Sequence, residues 1–201
     1  MKRAFDVAVS ALGLIITSPF VLAAAVAVKL DSPGPALYGG SRVGKDGATF
    51  RILKLRTMQV RPDGLGVTAG DDPRITRIGR ILRRTKLDEV PQFLNVLRGE
   101  MSLVGPRPED PRYVAHYTPE QRQVLAVRPG ITGPTVLAFV DEEDMLRGGD
   151  AESVYLTQVM PRKLAVDLQY VRHASFGGDL RILGQTALAV SRRMFRPGSP
   201  G

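Results

Sequence analysis

The segment Leu12–Val28 reads LGLIITSPFVLAAAVAV, without one charged side chain, and it carries Ser18 and Pro19 near its middle. Residues 7–28 are all uncharged, and as a straight helix they would measure about 33 Å, close to the hydrocarbon thickness of a bilayer. By length and composition this is a membrane helix. Pro19 lacks an N–H and its ring clashes with the carbonyl four residues back, while the Ser18 hydroxyl can bond a carbonyl so released. Two outcomes fit: a spanning helix kinked at Pro19, or a helix that bends there and leaves by the face it entered, its freed polar groups satisfied within the protein. Lys2 and Arg3 precede the run, and Lys29, Arg42 and Lys45 follow it. The cationic bias that orients membrane proteins therefore does not separate the flanks, and both ends can face the cytoplasm. A cleaved signal peptide fits less well, since Asp6 intrudes before the apolar run and no clear cleavage site precedes Lys29.

Beyond this segment, 201 residues with 43% hydrophobic content suffice for one compact domain. Lys and Arg number 28 against 20 Asp and Glu, a net charge of +8, which implies an anionic partner: nucleic acid, anionic lipid or a phosphorylated substrate. The absence of cysteine excludes disulfides, thiolate zinc sites and cysteine nucleophiles, and two histidines, His116 and His173, are too few for a histidine-built metal site. Any metal here needs oxygen ligands.

After Lys29 the texture changes. Residues 31–47, DSPGPALYGGSRVGKDG, read as a turn-filled connector, and 48–58, ATFRILKLRTM, as a strand or short hairpin. The DDPR run at 71–74 offers capping carboxylates and a first-turn proline. It leads into Ile75, Ile78, Ile81 and Leu82 at helical spacing, with Arg74, Arg77, Arg80, Arg83 and Arg84 on the other faces. Such a basic amphipathic helix can lie on anionic lipid, face phosphates, read DNA, or simply present a solvated face. Residues 85–109 follow: TKLDEVPQFLNVLRGEMSLVGPRPE. Pro91 suits the first turn of a helix that Gly99 stops, which puts Asp88 and Glu89 at its positive end. Two such carboxylates can be an ordinary helix cap, can hold Mg²⁺, or can divide the roles of nucleophile and base. In GPRP, Pro106 and Pro108 stiffen the backbone around Arg107, presenting a guanidinium suited to bidentate phosphate contact.

These residues resemble the bacterial sugar transferases, also called monotopic phosphoglycosyl transferases. The resemblance runs, in order, through the basic start KR, Ser18-Pro19, FRILKLRTM, DPRITRIGRILRR, LDEVPQFLNVLRGEMSLVGPRP, VRPGITGP and DLQYVRHASFGGDLRIL. It implies an α-rich α+β fold. Residues 1–30 would form a re-entrant membrane helix, residues 31–196 one catalytic domain at the cytoplasmic face of the bacterial inner membrane with interfacial amphipathic helices, and 197–201 a disordered tail. The length corresponds to the minimal form of that family, with no room for a fused domain. The implied activity moves a sugar phosphate from a UDP-sugar to a polyprenol phosphate, releasing UMP, with Mg²⁺ as cofactor and membrane lipids as surroundings. Nucleic acid is not an expected partner, and the reading leaves room for a homo-oligomer. Carried over to matched positions, the resemblance makes Asp88 the nucleophile and Mg²⁺ ligand and Glu89 its neighbour in a dyad. Lys54, Arg83, Arg107 and Arg128 become candidates around the phosphates, and Asp167 a further candidate. Two departures stand out: Lys86 precedes LDE where many relatives have Ser, and ITGPTVLAF replaces the ITG-x-AQ ending, which bears on sugar choice.

Two other readings compete, a membrane-anchored nucleic-acid-binding protein using Arg74–Arg84 and a non-catalytic lipid-surface module. Neither explains the carboxylate pair followed by the Arg107 loop. Elsewhere, Tyr113, His116 and Tyr117 are expected to pack a helix within Pro111–Val127. Asp141–Met145, DEEDM, reads as a solvated helix start or, less simply, as an element of sugar choice. Residues 179–196, with Arg192, Arg193 and Arg196, read as a surface helix against the interface, and PGSPG as a frayed tail.

Overall fold

The computed structural model describes residues 1–59, 72–139, 145, 146 and 150–195. The acidic stretch at 141–144 and the tail at 197–201 lie outside them. Helix α1, Lys2–Asp31, contains Pro19 and continues through it. The Ser18 hydroxyl donates to the carbonyl of Ile15, the one that Pro19 leaves without its usual donor, at 3.0 Å. Thr17 donates to Gly13 O at 2.6 Å, so two successive hydroxyls ahead of Pro19 serve this stretch of backbone. Among the described residues α1 is the one helix long and apolar enough to cross a membrane.

Both ends of α1 pack against the same body. Near its start, buried Asp6 accepts from Ser102 Oγ at 2.8 Å, and Lys2 pairs with Asp179 at 2.6 Å. Toward its end, Ala24 and Val28 form a buried cluster with Leu55 and Leu82, and Asp31 accepts from the backbone N–H of Ile78 at 3.1 Å. Between these anchors Ile15, Phe20 and Leu22 are 72%, 64% and 67% exposed.

The chain leaves α1 through Ser32 in extended geometry, and buried Arg56 fixes the exit by donating to Ser32 O, Ser32 Oγ and Pro35 O. Strands β1 (Leu37–Val43) and β2 (Thr49–Leu55) then form an antiparallel hairpin with Tyr38 opposite Lys54. The stretch read as a connector thus contains a strand: Gly39 and Gly40 weaken its local preference, and pairing with β2 supplies what propensity does not.

Helix α2 is Arg77–Thr85, later than the DDPR reading, with Thr76 as the cap accepting from Gly79 N at 2.9 Å. The reason is a bridge between Ile75 and Met58 that keeps the preceding backbone extended, while Asp72 is engaged by Arg74. Gly79 is required there, since a Cβ on it would lie 2.0 Å from the carbonyl oxygen of Thr57. Lys86 turns the chain in left-handed geometry into a 3₁₀ turn at Leu87–Glu89. After this come α3 (Gln92–Arg98), which Gly99 ends at φ 85°, and β3 (Ser102–Val104). The placement of Pro91 and Gly99 at the two ends of α3 matches the sequence reading.

Strand β3 pairs in parallel with β4 (Gly130–Thr132). A Cβ on Gly130 would come within 2.1 Å of Gly105 N, so the GPRP loop and the PGITG segment meet backbone to backbone. Within Pro111–Val127 the structure has the short helix α4 (Pro111–Val114), which carries Tyr113, and a separate 3₁₀ stretch, Gln121–Ala126. Pro119 biases Thr118 away from helical geometry, and Thr118 caps the second piece through Gln121 N. Tyr113 and Tyr117 are buried as expected, whereas His116 is exposed. Short α5 (Pro134–Ala138) and α6 (Ala151–Val154) precede a π turn, Tyr155–Val159, that leads into α7 (Met160–His173), and α8 (Phe176–Phe195) follows. A core of Tyr113, Tyr117, Val124, Tyr155 and Leu164 supports this half, and Phe50, Ile52, Val96 and Met101 fill the space beneath the hairpin. The architecture is a helix-rich α+β fold, as the sequence implies.

Candidate active site

The 3₁₀ turn at Leu87–Glu89 brings two adjacent carboxylates into opposite surroundings. Leu87 packs against the cluster of Ala24, Val28, Leu55 and Leu82, which sets the turn beside the C-terminal half of α1. Glu89 faces β2 and the GPRP loop. Its Oε1 receives Lys54 Nζ at 3.0 Å and Arg107 Nη2 at 2.9 Å, with Lys86 Nζ at 3.8 Å. Burial alone would raise the Glu89 carboxyl, but the charges of Lys54, Arg107 and Lys86 outweigh it and hold the group well below the ordinary carboxylate range.

Asp88 is 6% exposed, and its Oδ1 is buried with no hydrogen-bond partner. Burial, and then the charge of Glu89, raise its carboxyl above the usual value, with Lys54, Lys86 and Arg83 offsetting part of this. Burial likewise lowers the Lys54 ammonium, Arg107 adding to the effect while Glu89 and Asp88 oppose it. Arg83, on α2, donates to Thr57 Oγ1 at 3.2 Å and lies close enough for its charge to act on Asp88.

Asp167, on α7, is buried and accepts from Thr135 Oγ1 at 3.1 Å and from the backbone N–H of Arg107. Burial raises its carboxyl to about 7, against the Thr135 hydrogen bond and the charge of Lys163. It thus holds the loop that carries Arg107, and both line a small cavity with Pro106 and Glu109. The structure brings together Asp88, Glu89, Lys54, Arg83 and Arg107, with Asp167 behind the loop. Arg128 points elsewhere: its Nε donates to Gly99 O at 2.8 Å, and the residue lines a different cavity. Ser18 and Pro19 stand on α1 between one and two turns before Ala24, the first α1 residue of the cluster that Leu87 packs against.

The sequence reading passes over Lys86 as an actor, and over a buried set behind the site. In that set the Tyr155 hydroxyl bonds Glu109, and Lys163, itself buried, donates to Tyr155 Oη at 3.3 Å. Residues 109 and 155 are too far apart in sequence for any spacing rule to have joined them.

No group of three or more His, Cys, Asp or Glu occurs together among the described residues. A divalent cation would therefore draw protein ligation chiefly from Asp88, whose Oδ1 is a buried acceptor without a donor, and take its other oxygens from water and substrate phosphates, as Mg²⁺ commonly does. That donor set fits a Mg²⁺ ion and does not make a preformed cage.

A buried carboxylate pair, one member saturated with cations and the other open, stands beside a helix whose outer side is exposed and apolar. The model of the bacterial sugar transferase family matches residues 1–193, and the chain belongs to that family. It is 47% identical over 191 residues to a UDP-glucose:undecaprenyl-phosphate glucose-1-phosphate transferase of Caulobacter vibrioides, covering 92% of this chain and 67% of that protein. A protein of the same description from Escherichia coli is 39% identical over 193 residues, 91% of this chain but 38% of its own length. The exopolysaccharide production protein PSS of Rhizobium leguminosarum is 40% identical, with 96% of each chain covered. Membership in this family displaces the reading of Arg74–Arg84 as a nucleic-acid surface, and Arg74 is in any case tied to Asp72 at 2.5 Å.

Proposed function

We propose that this protein transfers a sugar 1-phosphate from a UDP-sugar to a polyprenol phosphate, releasing UMP, at the cytoplasmic face of the bacterial inner membrane. The observation that carries the reading is the open, buried Asp88 Oδ1 beside a Glu89 whose charge is already balanced by Lys54, Lys86 and Arg107. In the first step an Asp88 oxygen attacks the phosphorus that bears the sugar, and the bond from that phosphorus to the UMP oxygen breaks. The sugar phosphate is left as an acyl phosphate on Asp88. In the second step a phosphate oxygen of the polyprenol attacks the same phosphorus, the acyl phosphate bond breaks, and Asp88 returns as carboxylate. Arg107 and Lys54 hold donor phosphate oxygens, with Glu89 fixing both cations, and Arg83 adds positive charge beside Asp88. Bound at Asp88, Mg²⁺ would supply charge neutralisation between the attacking carboxylate and the diphosphate.

We further read α1 as re-entrant. A 30-residue helix is about 45 Å long, so a spanning orientation would put Lys2 and Asp31 on opposite faces of the bilayer. Yet Lys2, Asp6, Val28 and Asp31 all contact one body, while exposed apolar side chains run along the other side of α1, from Leu12 and Ile15 through Phe20 and Leu22 to Val26 and Leu30. That pattern supports a helix dipping into one leaflet.

Relatives named for glucose and for N-acetylgalactosamine, at 47% and 41% identity, both resemble the chain, so the test uses a donor panel. Purified protein with Mg²⁺, undecaprenyl phosphate and UDP-glucose or UDP-N-acetylgalactosamine should release UMP with at least one donor. Donor labelled in the sugar, given without acceptor, should leave label on Asp88 with stoichiometric UMP. Turnover without any such adduct, and with ternary-complex kinetics, would reduce Asp88 to a metal ligand.

A further inference from the structure

A cavity of about 360 Å³ opens beside the first turn of α1, away from the carboxylate pair. Leu87, next to Asp88, packs against the cluster that holds Ala24 and Val28, and the helical rise from Lys2 to Ala24 is about 33 Å. The cavity wall carries four cations, Lys2, Arg3, Lys45 and Arg128, against two carboxylates, Asp6 and Asp179.

Both carboxylates are engaged by the protein. Asp6 accepts from Ser102 Oγ and Leu103 N, and Asp179 from Lys2 Nζ at 2.6 Å and Tyr170 Oη at 2.7 Å. The cations are less fully matched. Arg3 and Arg128 both donate to carbonyls at the end of α3, those of Leu97 and Gly99, which carry only partial charge, and Lys45 has only Asp46 at 3.8 Å. The start of α8 adds its positive end, because Ser175 and Phe176 line the same space. The chemistry of the wall therefore selects an anion.

The surroundings select a lipid as the source. Phe176 lines the cavity, packs edge-on to Phe5 at 5.3 Å and remains 37% exposed; Leu180, one turn further on α8, is 43% exposed. On α1 exposed apolar side chains begin at Val7 and Leu12. The opening thus lies where the cationic start of α1 gives way to its apolar surface, the level of phospholipid headgroups.

We infer that this cavity binds the phosphate headgroup of an anionic membrane phospholipid and thereby holds the N-terminal end of α1 at the membrane surface. The site is distinct from the sugar-transfer centre. The inference rests on α1 lying in the membrane as proposed above.

The test uses the full chain in neutral detergent, mixed with equal amounts of phosphatidylglycerol and phosphatidylcholine and read by native mass spectrometry for retained lipid. Phosphatidylglycerol should be retained at least about tenfold over phosphatidylcholine. Lys45→Gln and Arg128→Gln should each lower that preference about fivefold, the effect of removing one interfacial cation. Lys45 bonds nothing in the fold beyond its neighbour, so its variant remains informative should the loss of Arg128 loosen the end of α3. Lys29→Gln, at the far end of α1, is the control for diffuse attraction and should leave the preference unchanged. Equal retention of the two lipids, or an equal loss in Lys29→Gln, would overturn the site. Displacement of the lipid by millimolar inorganic phosphate would make it a site for free anions instead. Alkaline extraction of wild-type protein from neutral vesicles gives a separate answer: release there counts against the membrane placement of α1, whereas retention without headgroup preference counts against the cavity alone.

Discussion

Replacing Glu89 by Gln removes one negative charge and almost no volume, and its consequences follow from the three cations gathered on that carboxylate. Lys54 and Arg107 lose charge-assisted hydrogen bonds of 3.0 and 2.9 Å, each worth about 1.5–3 kcal/mol where well placed. Both side chains reach solvent in part, 22% and 31% exposed, so water recovers some of this, and a net cost near 2–3 kcal/mol is expected. For a chain of this size that corresponds to a melting temperature lower by about 4–12 °C. If Lys54 and Arg107 hold the donor phosphates, their loosened positions should lower kcat/KM by about 10²–10³. One further effect has the opposite sign. Glu89 raises the Asp88 carboxyl, so its removal lets Asp88 ionise at lower pH. If the deprotonated Asp88 carboxylate is the nucleophile, as proposed, the acid limb of the residual rate against pH should move to lower pH. The assays are thermal unfolding and UMP release as a function of pH. A Glu89→Gln variant with wild-type melting temperature and rate would refute the role given to the cation cluster. An acid limb that moved to higher pH would refute the coupling between the two carboxylates.

Arg107→Lys keeps the charge but loses the planar fork; kcat/KM should fall about 10–100-fold with melting unchanged, and near-normal turnover would make Arg107 one surface charge among many. Asp167 has a carboxyl raised to about 7, so it contributes stability at low pH that is lost as pH rises from about 4 to about 7. Asp167→Asn keeps the acceptor for Thr135 and the Arg107 N–H without that charge, and should raise the melting temperature at pH 8 while changing it little at pH 4; a lower melting temperature at pH 8 would show that the charge itself is needed by the fold. The chain has no native cysteine, so single cysteines at exposed Ala4 and Ser41 report on topology cleanly. Both should be labelled only from the cytoplasm, and labelling of Ala4→Cys from the periplasm would sink the re-entrant reading. Pro19→Ala should move a fraction of molecules toward spanning.

Local signals in the sequence captured what local chemistry decides. Pro91 and Gly99 bound α3 where their backbone preferences place them, and the Ser18 hydroxyl meets the carbonyl that Pro19 leaves without a donor. Other features depend on partners distant in the chain. Strand β1 exists because β2 pairs with it, and α2 starts at Arg77 because Met58 holds Ile75 extended. Asp167 could be matched to a family position, but its contact is the Arg107 backbone, sixty residues earlier, which no periodicity encodes. Arg128 carried the same kind of resemblance as Arg107 yet bonds the end of α3, since β4 leaves its neighbour Pro129 facing Ser102 and turns Arg128 outward.

The opposed environments of Asp88 and Glu89 also constrain the order of events at the site. Glu89 stays ionised at neutral pH because three cations surround it, and in doing so it raises its neighbour. A diphosphate entering beside Asp88 adds negative charge and raises that carboxyl further, so donor binding by itself opposes formation of the nucleophile. Lys54 and Arg107 offset part of this, but they are shared with Glu89, and charge spent on one anion is reduced for the other. A divalent cation bound to the donor would supply further positive charge, and Asp88 Oδ1 is a buried oxygen without a hydrogen-bond partner that could receive it. A donor carried in as its divalent-cation complex would bring that charge in one step. Ionisation of Asp88 and occupancy of the donor site are then linked: the donor bound with its cation favours the ionised carboxylate more than the bare diphosphate does.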